Sequence, residues 1–202
     1  MTRSAARDGT DVACVLLAAG GSRRLGVAKQ LIRHRTRTLL AHAVAAARGA
    51  VPRAPLIVVV GAEALRVRLA LRRASWRARV VGNSRWREGM AESLRLGLGA
   101  VPRTATAALV LLVDQPRVDA AAIARLVAAW RRRPGVPAAA RYDERIGVPA
   151  VLPRRQWSAL KELRGDEGAR ALLRGHVAPT LVDMPEAALD IDTPNDLERL
   201  RR

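Results

Sequence analysis

Residue types suited to phosphate chemistry gather early in the chain, in Val15-Leu16-Leu17-Ala18-Ala19-Gly20-Gly21-Ser22-Arg23-Arg24-Leu25-Gly26-Val27-Ala28-Lys29-Gln30. An apolar run ends at Leu17, small residues and paired glycines follow, and then come two arginines and a lysine. Glycine lets a backbone approach a ligand closely and turn its amides toward phosphate oxygens, while Arg and Lys add charge. The spacing fits neither GxxxxGK[ST] nor GxGxxG. A tight strand-to-helix turn explains the glycines but not a Lys-Gln pair at this distance.

Carboxylates form the second group. Asp114 directly follows Leu109–Val113, which places it at the carboxyl end of a predicted strand, where open α/β sheets hold their ligands. An aspartate there could also simply begin a turn ahead of Pro116, but the ligand role is the reading preferred. Near the C-terminus, Thr193-Pro194-Asn195-Asp196 reads as a helix start, with Thr193 as N-cap, Pro194 at the first helical position and Asp196 three residues past the cap. That pattern leaves Asp190 and Asp192 without a structural reason.

Positioning these groups needs a sheet. Val12–Leu17, Leu56–Val60, the neighbourhood of Val80–Val81 and Leu109–Val113 read as strands, alternating with predicted helices over Thr38–Arg48, Ala62–Arg73, Met90–Leu98 and Ala120–Arg133. Short apolar runs between amphipathic stretches predict βα units around a mostly parallel sheet buried on both faces, a Rossmann-like three-layer α/β/α fold. Beyond Pro134, Val136–Ala140 and Gly147–Leu152 predict a strand pair joined by a loop over Arg141–Arg145. Two short helices (Trp157–Leu163 and Ala169–Leu173), a strand near Leu181–Val182 and a helix from Pro194 complete the chain.

Composition bounds the alternatives. The 202 residues predict one domain, and half of them are apolar, enough for a core. Cys14 has no partner for an intrachain disulfide, and His34, His42 and His176 lack metal-ligand spacing. The longest uncharged apolar stretches are about half the roughly 18 residues of a membrane span, and the first ten residues, with Arg3, Arg7 and Asp8, are not expected to open a signal peptide. A soluble cytoplasmic protein is expected. The formal charge is +18, and since Lys29 and Lys161 are the only lysines among 36 basic residues, the other 34 are arginine. Such a surplus points to a polyanion, either nucleic acid or a phosphate-rich small molecule, unless arginine simply stands wherever a solvated charge will do. With no Phe and one Tyr, the platforms on which single-stranded nucleic acid stacks are missing.

The pattern LAAG-x-S-x-R-x-G-x-x-K resembles the signature loop of the nucleotidyltransferases that build the molybdenum cofactor dinucleotide, with Leu25 in place of the usual methionine. Five further segments are similar to that family's motifs, in its order: Asn83 to Leu98 ("N…W…GM..SL..GL"), Leu112-Val113-Asp114-Gln115-Pro116, Gly147-Val148-Pro149-Ala150, Arg164 to Arg170, and Asp190-Ile191-Asp192-Thr193-Pro194. The resemblance implies that Arg24 and Lys29 act in catalysis. It also implies nucleotide contacts from Leu17, Ala18, Ala19, Gly20, Gly21, Ser22, Arg23, Asn83 and Ser93, and acceptor contacts from Pro149, Asp166 and Arg170. Residues 12–135 would then form the nucleotide-binding part and 136–200 the acceptor-binding part. Asp114 and Asp192 are the implied metal ligands. Mg²⁺ suits them, because it takes carboxylate oxygens together with substrate phosphates.

The implied reaction is attack by an acceptor phosphate on the α-phosphate of a nucleotide, with pyrophosphate leaving. Leu17-Ala18-Ala19-Gly20 resembles the cytidylyl-transferring branch, whereas guanylyl-transferring relatives carry a second glycine in place of Ala19. CTP and molybdenum-bound molybdopterin are therefore the expected substrates, with the product passing to a xanthine-dehydrogenase-type molybdoenzyme. Alternatives are guanylyl transfer or another phosphate acceptor, a nucleotide-binding or cofactor-delivery protein without turnover, and, on charge alone, a nucleic-acid binder.

Overall fold

The apolar runs become a seven-stranded sheet because they can be covered on both sides. The computed structural model describes residues 11–169, 173 and 177–201. Its strands are β1 (Val12–Ala18), β2 (Arg33–His34), β3 (Arg37–Thr38), β4 (Leu56–Val60), β5 (Arg79–Gly82), β6 (Ala107–Leu112), β7 (Ala138–Tyr142), β8 (Arg145–Pro153) and β9 (Thr180–Asp183). The helices are α1 (Leu39–Ala50), α2 (Ala64–Arg73), α3 (Met90–Gly99), α4 (Ala120–Arg132) and α5 (Pro194–Arg201). Strand order is β5-β4-β1-β6-β8-β7-β9, with β2 and β3 forming a separate short hairpin. Only β8 runs antiparallel to its neighbours in the large sheet.

Every residue of β1 and β4 is buried, so neither strand shows polar alternation. Cys14, Leu16 and Ala18 face the layer of α1, α2 and α4, where they meet Leu40, Val67 and Leu126. Ala13, Val15 and Leu17 face the other layer, where α3 contributes Ala91, Leu94 and Leu98. Gly97 sets the spacing of α3, since a Cβ there would lie 2.5 Å from Val15 Cγ1. The expected three-layer α/β/α arrangement is present.

Beyond residue 134 the strands run further than their apolar content suggests. The sequence places Arg141–Arg145 in a loop, but Arg141 pairs with Ile146 and Tyr142 with Arg145. Asp143 and Glu144 alone make the turn, at φ 44° and 58°, the left-handed backbone a two-residue hairpin demands. The predicted helix over Trp157–Leu163 is a 3-10 segment, Arg154–Lys161. The predicted Ala169–Leu173 helix falls partly outside the described residues, and Arg170 lies wholly outside them. No described helix is long and apolar enough to cross a membrane.

Cys14 sits in the middle of β1, and burial pushes its thiol up to about 12. A colorimetric thiol reagent at pH 8 is expected to find no reactive group in the folded protein and one after denaturation in guanidinium.

Candidate active site

From β1 the chain passes to β4 and β5 on one side of the sheet, then crosses back to β6 on the other side. At the carboxyl ends of β1 and β6, this switch point opens a cleft of about 600 Å³. Leu17 and Ala19 line it from the end of β1, followed by Gly20 through Arg24 of the glycine loop.

The loop is held in shape by specific contacts. Ser22 takes φ 50°, and its carbonyl accepts from the Leu25 and Gly26 amides at 3.0 Å each. Its hydroxyl accepts from the Lys29 amide at 3.1 Å, which opens the 3-10 turn Lys29–Leu31. Gln30, fully buried, donates through Nε2 to the carbonyls of Ala18 (3.0 Å) and Gly20 (2.8 Å), bridging both sides of the strand end. Gly21 lies on the ring of Trp86, where a Cβ would approach Cζ3 to 2.5 Å.

Opposite the loop stand the carboxylates. Lys29 Nζ donates to Asp114 Oδ2 and, at 2.9 Å, to Asp192 Oδ1. Arg24 Nη2 donates to Asp192 Oδ2 at 2.8 Å. The segment carrying Asp192 is fixed twice: the Ile191 amide donates to the Asp114 carbonyl at 2.9 Å, and the Asp196 carboxylate accepts from the Asp192 and Thr193 amides at 3.2 and 2.8 Å. With the Asp196 amide donating back to Thr193 Oγ1 at 3.4 Å, the helix start is a reciprocal capping arrangement that also positions Asp192.

Burial sharpens the electrostatics. The side chains of Lys29 and Asp114 are only 12% and 14% exposed, against 37% for Asp192. Desolvation works against the Lys29 ammonium, but Asp114 and Asp192 outweigh it and hold its pKa above the ordinary lysine value. Asp190 lines the same cleft, where crowding by neighbouring atoms and the charges of Asp114 and Asp192 push it up to about 6 although one flank meets solvent.

A divalent cation fits this donor set. Asp114 Oδ1 is buried with no hydrogen-bond partner. Among the described residues no group of three or more His, Cys, Asp or Glu could enclose a metal. One or two carboxylates completed by water and phosphate is the coordination Mg²⁺ adopts, rather than an all-protein cage.

The far wall comes from α3. Ser93, in its first turn, lines the cleft, and its hydroxyl accepts from Asn83 Nδ2 at 2.9 Å. Asn83 itself sits behind Ser93, buried, with Oδ1 accepting from the Arg85 amide at 2.9 Å. Because Ser93 accepts from Asn83, its own proton is free to point into the cleft.

Residues 14–181 match the MobA-like NTP transferase domain. The chain belongs to that family. Rv0371c of Mycobacterium tuberculosis H37Rv superimposes with a TM-score of 0.81 at 34% identity, over 96% of this chain and 98% of that one. A crystal structure of Rv0371c in complex with manganese is similar as well, with a TM-score of 0.76 at 32% identity over 95% and 98% of the two chains. A curated relative, the nicotine blue oxidoreductase of Paenarthrobacter nicotinovorans, is 33% identical over 209 residues, covering 95% of this chain and 98% of its own length.

In this MobA-like nucleotidyltransferase most of the residues singled out in the sequence meet at one cleft. Leu17, Ala19, Gly20, Gly21, Ser22, Arg23, Arg24, Lys29, Ser93, Asp114, Asp166 and Asp192 all line it. Three stand apart. Asn83 is behind the wall, Ala18 is turned into the core with its carbonyl held by Gln30, and Pro149 lines a separate small crevice beside Gln115. Asp166 reaches the cleft because its turn docks on the start of α3: the Ala91 amide donates to the Gly165 carbonyl at 3.0 Å, and a Cβ on Gly89, at φ 110°, would meet that carbonyl at 2.2 Å.

Sequence reasoning gave no role to Gln30 or Trp86. The first is a polar residue that closes the glycine loop from inside. The second carries the guanidinium of Arg87 4.5 Å and that of Arg23 5.8 Å from its ring centroid. Both lie within segments noted for other residues, and nothing in their local spacing announces the contacts they make.

Proposed function

We propose that this enzyme transfers CMP from CTP to molybdenum-bound molybdopterin in a Mg²⁺-dependent reaction, giving molybdopterin cytosine dinucleotide and pyrophosphate. The observation that carries the reading is the Lys29 ammonium set between Asp114 and Asp192 against a glycine loop. An oxygen of the acceptor phosphate attacks the α-phosphorus, the new P–O bond forms in line with the bond to the β-phosphate, and that bond breaks to release pyrophosphate. No protein nucleophile is required, so positioning and charge neutralisation supply the rate. The Gly20–Ser22 backbone, Arg24 and Lys29 hold the triphosphate and stabilise charge on the departing pyrophosphate. Asp114 and Asp192 would hold the cation, which when bound neutralises phosphate oxygens and orients them. Ser93, oriented by Asn83, offers its hydroxyl to the base, and Asp166 stands on the acceptor side.

The choice of cytosine rests on Ala19, a buried residue of the cleft lining that stands where guanylyl-transferring relatives carry a second glycine. Pyrophosphate release from purified protein with Mg²⁺ and molybdenum-loaded molybdopterin is expected to be faster with CTP than with GTP. Preference for GTP would overturn the base assignment, and turnover only with another phosphate acceptor would overturn the acceptor. The product is expected to pass to a xanthine-dehydrogenase-type enzyme in the cytoplasm.

The name of the Paenarthrobacter relative favours a second reading, an electron transfer carried out in the same cleft. It predicts nucleotide binding with no pyrophosphate release for any acceptor. The paired carboxylates and buried lysine fit phosphate transfer better, because electron transfer needs no metal-phosphate clamp.

A further inference from the structure

We propose that Lys29 is a place-holding cation, its ammonium lodged between Asp114 and Asp192 where a divalent ion must bind, so that metal ion and triphosphate enter together. Of the four oxygens on these two carboxylates, three already accept from cationic side chains. Lys29 takes Asp114 Oδ2 and Asp192 Oδ1, and Arg24 takes Asp192 Oδ2. Only Asp114 Oδ1 lacks a protein partner. A divalent ion arriving alone therefore meets two carboxylates matched by two cations and gains little from their field. A triphosphate changes the balance by offering both cations new oxygens.

The build of Lys29 suits the exchange. Its amide is tied to Ser22 Oγ at 3.1 Å, so the backbone stays beside the glycine loop while a flexible four-carbon stem carries a compact charge. Swinging from carboxylate to phosphate moves that charge without moving the loop. Arginine, with its planar fork, would lack this freedom. In a chain with 36 basic residues, lysine occurs at only Lys29 and Lys161.

The inference rests on Asp114 and Asp192 as metal ligands, and it is independent of which nucleotide or acceptor the enzyme uses. The test is Mn²⁺ binding to the full chain with no nucleotide present, read from the electron paramagnetic resonance signal of free Mn²⁺. Lys29→Met is expected to bind Mn²⁺ at least about tenfold tighter than the wild type, and adding Asp114→Asn is expected to abolish that gain. Folding of each variant is checked by its urea midpoint, and Lys29→Gln serves if the methionine variant does not fold. Affinity in a folded Lys29 variant equal to or weaker than wild type overturns the proposal. If Asp114→Asn alone weakens Mn²⁺ binding while Lys29→Met leaves it unchanged, the ligand assignment stands and only place-holding fails. If neither variant shifts the affinity, the ligand assignment fails with it.

Discussion

Alanine at Lys29 is expected to lower nucleotidyl transfer by roughly 10²–10³-fold, the loss typical when one preorganised donor to a developing negative charge is removed. The effect should lie mainly in kcat, because charge grows on the leaving pyrophosphate as the bond to the α-phosphorus breaks. The Lys29 side chain is only 12% exposed, so its charge acts with little screening by water. Arginine should not restore the rate, since a planar guanidinium cannot replace a compact charge shared between Asp114 and Asp192. The measurement is single-turnover pyrophosphate release at saturating nucleotide, with urea unfolding as the folding control. A rate within about threefold of wild type would remove Lys29 from the chemistry, far short of the loss expected for such a donor.

Much of the fold was legible because burial on both faces leaves a plain mark. β1 and β4 are continuous apolar runs with no polar residue to blur their ends, and β6 starts only two residues earlier than its apolar pattern suggests. The β7–β8 hairpin was harder to read. Arg141 and Arg145 look like loop residues, yet they extend strands whose charged side chains reach solvent while Tyr142 turns inward. The β2–β3 hairpin is two residues to a strand, too short for any periodicity.

At the site, residue type was legible and partnership was not. Lys29 is 85 residues from Asp114 and 163 from Asp192, so the sheet order must be known before the ion pairs can be drawn. Asn83 and Ser93 could both be placed near a base, but only the register of α3 shows one oriented by the other. The +18 charge, which first suggested a long polyanion, is divided among many sites. Arg95 is bound to Glu92 within α3, while the pairs of Arg131 with Asp11 and Arg141 with Asp183 tie separate segments of the fold together, all of them away from the cleft.

Asparagine at Asp114 tests the carboxylate side of the same pair. The substitution keeps shape and removes one charge, and transfer is expected to fall by on the order of 10³-fold, since a metal ion contributes several kcal/mol of charge stabilisation to such reactions. Asp192→Asn is expected to cost less. Asp114 is the more buried of the two, at 14% against 37% exposed, and it carries the buried oxygen free of protein hydrogen bonds. Asp192 is engaged by Arg24 at the solvent edge and contributes a more screened charge. Folding should survive in both variants, because Lys29 keeps one carboxylate partner after either change. Pyrophosphate release measured across a Mg²⁺ titration separates the effects: Asp192→Asn should recover much of its rate at high Mg²⁺, whereas Asp114→Asn should recover little. The reverse ranking would mean that the metal is centred on the C-terminal segment and that Asp114 serves chiefly to hold Lys29.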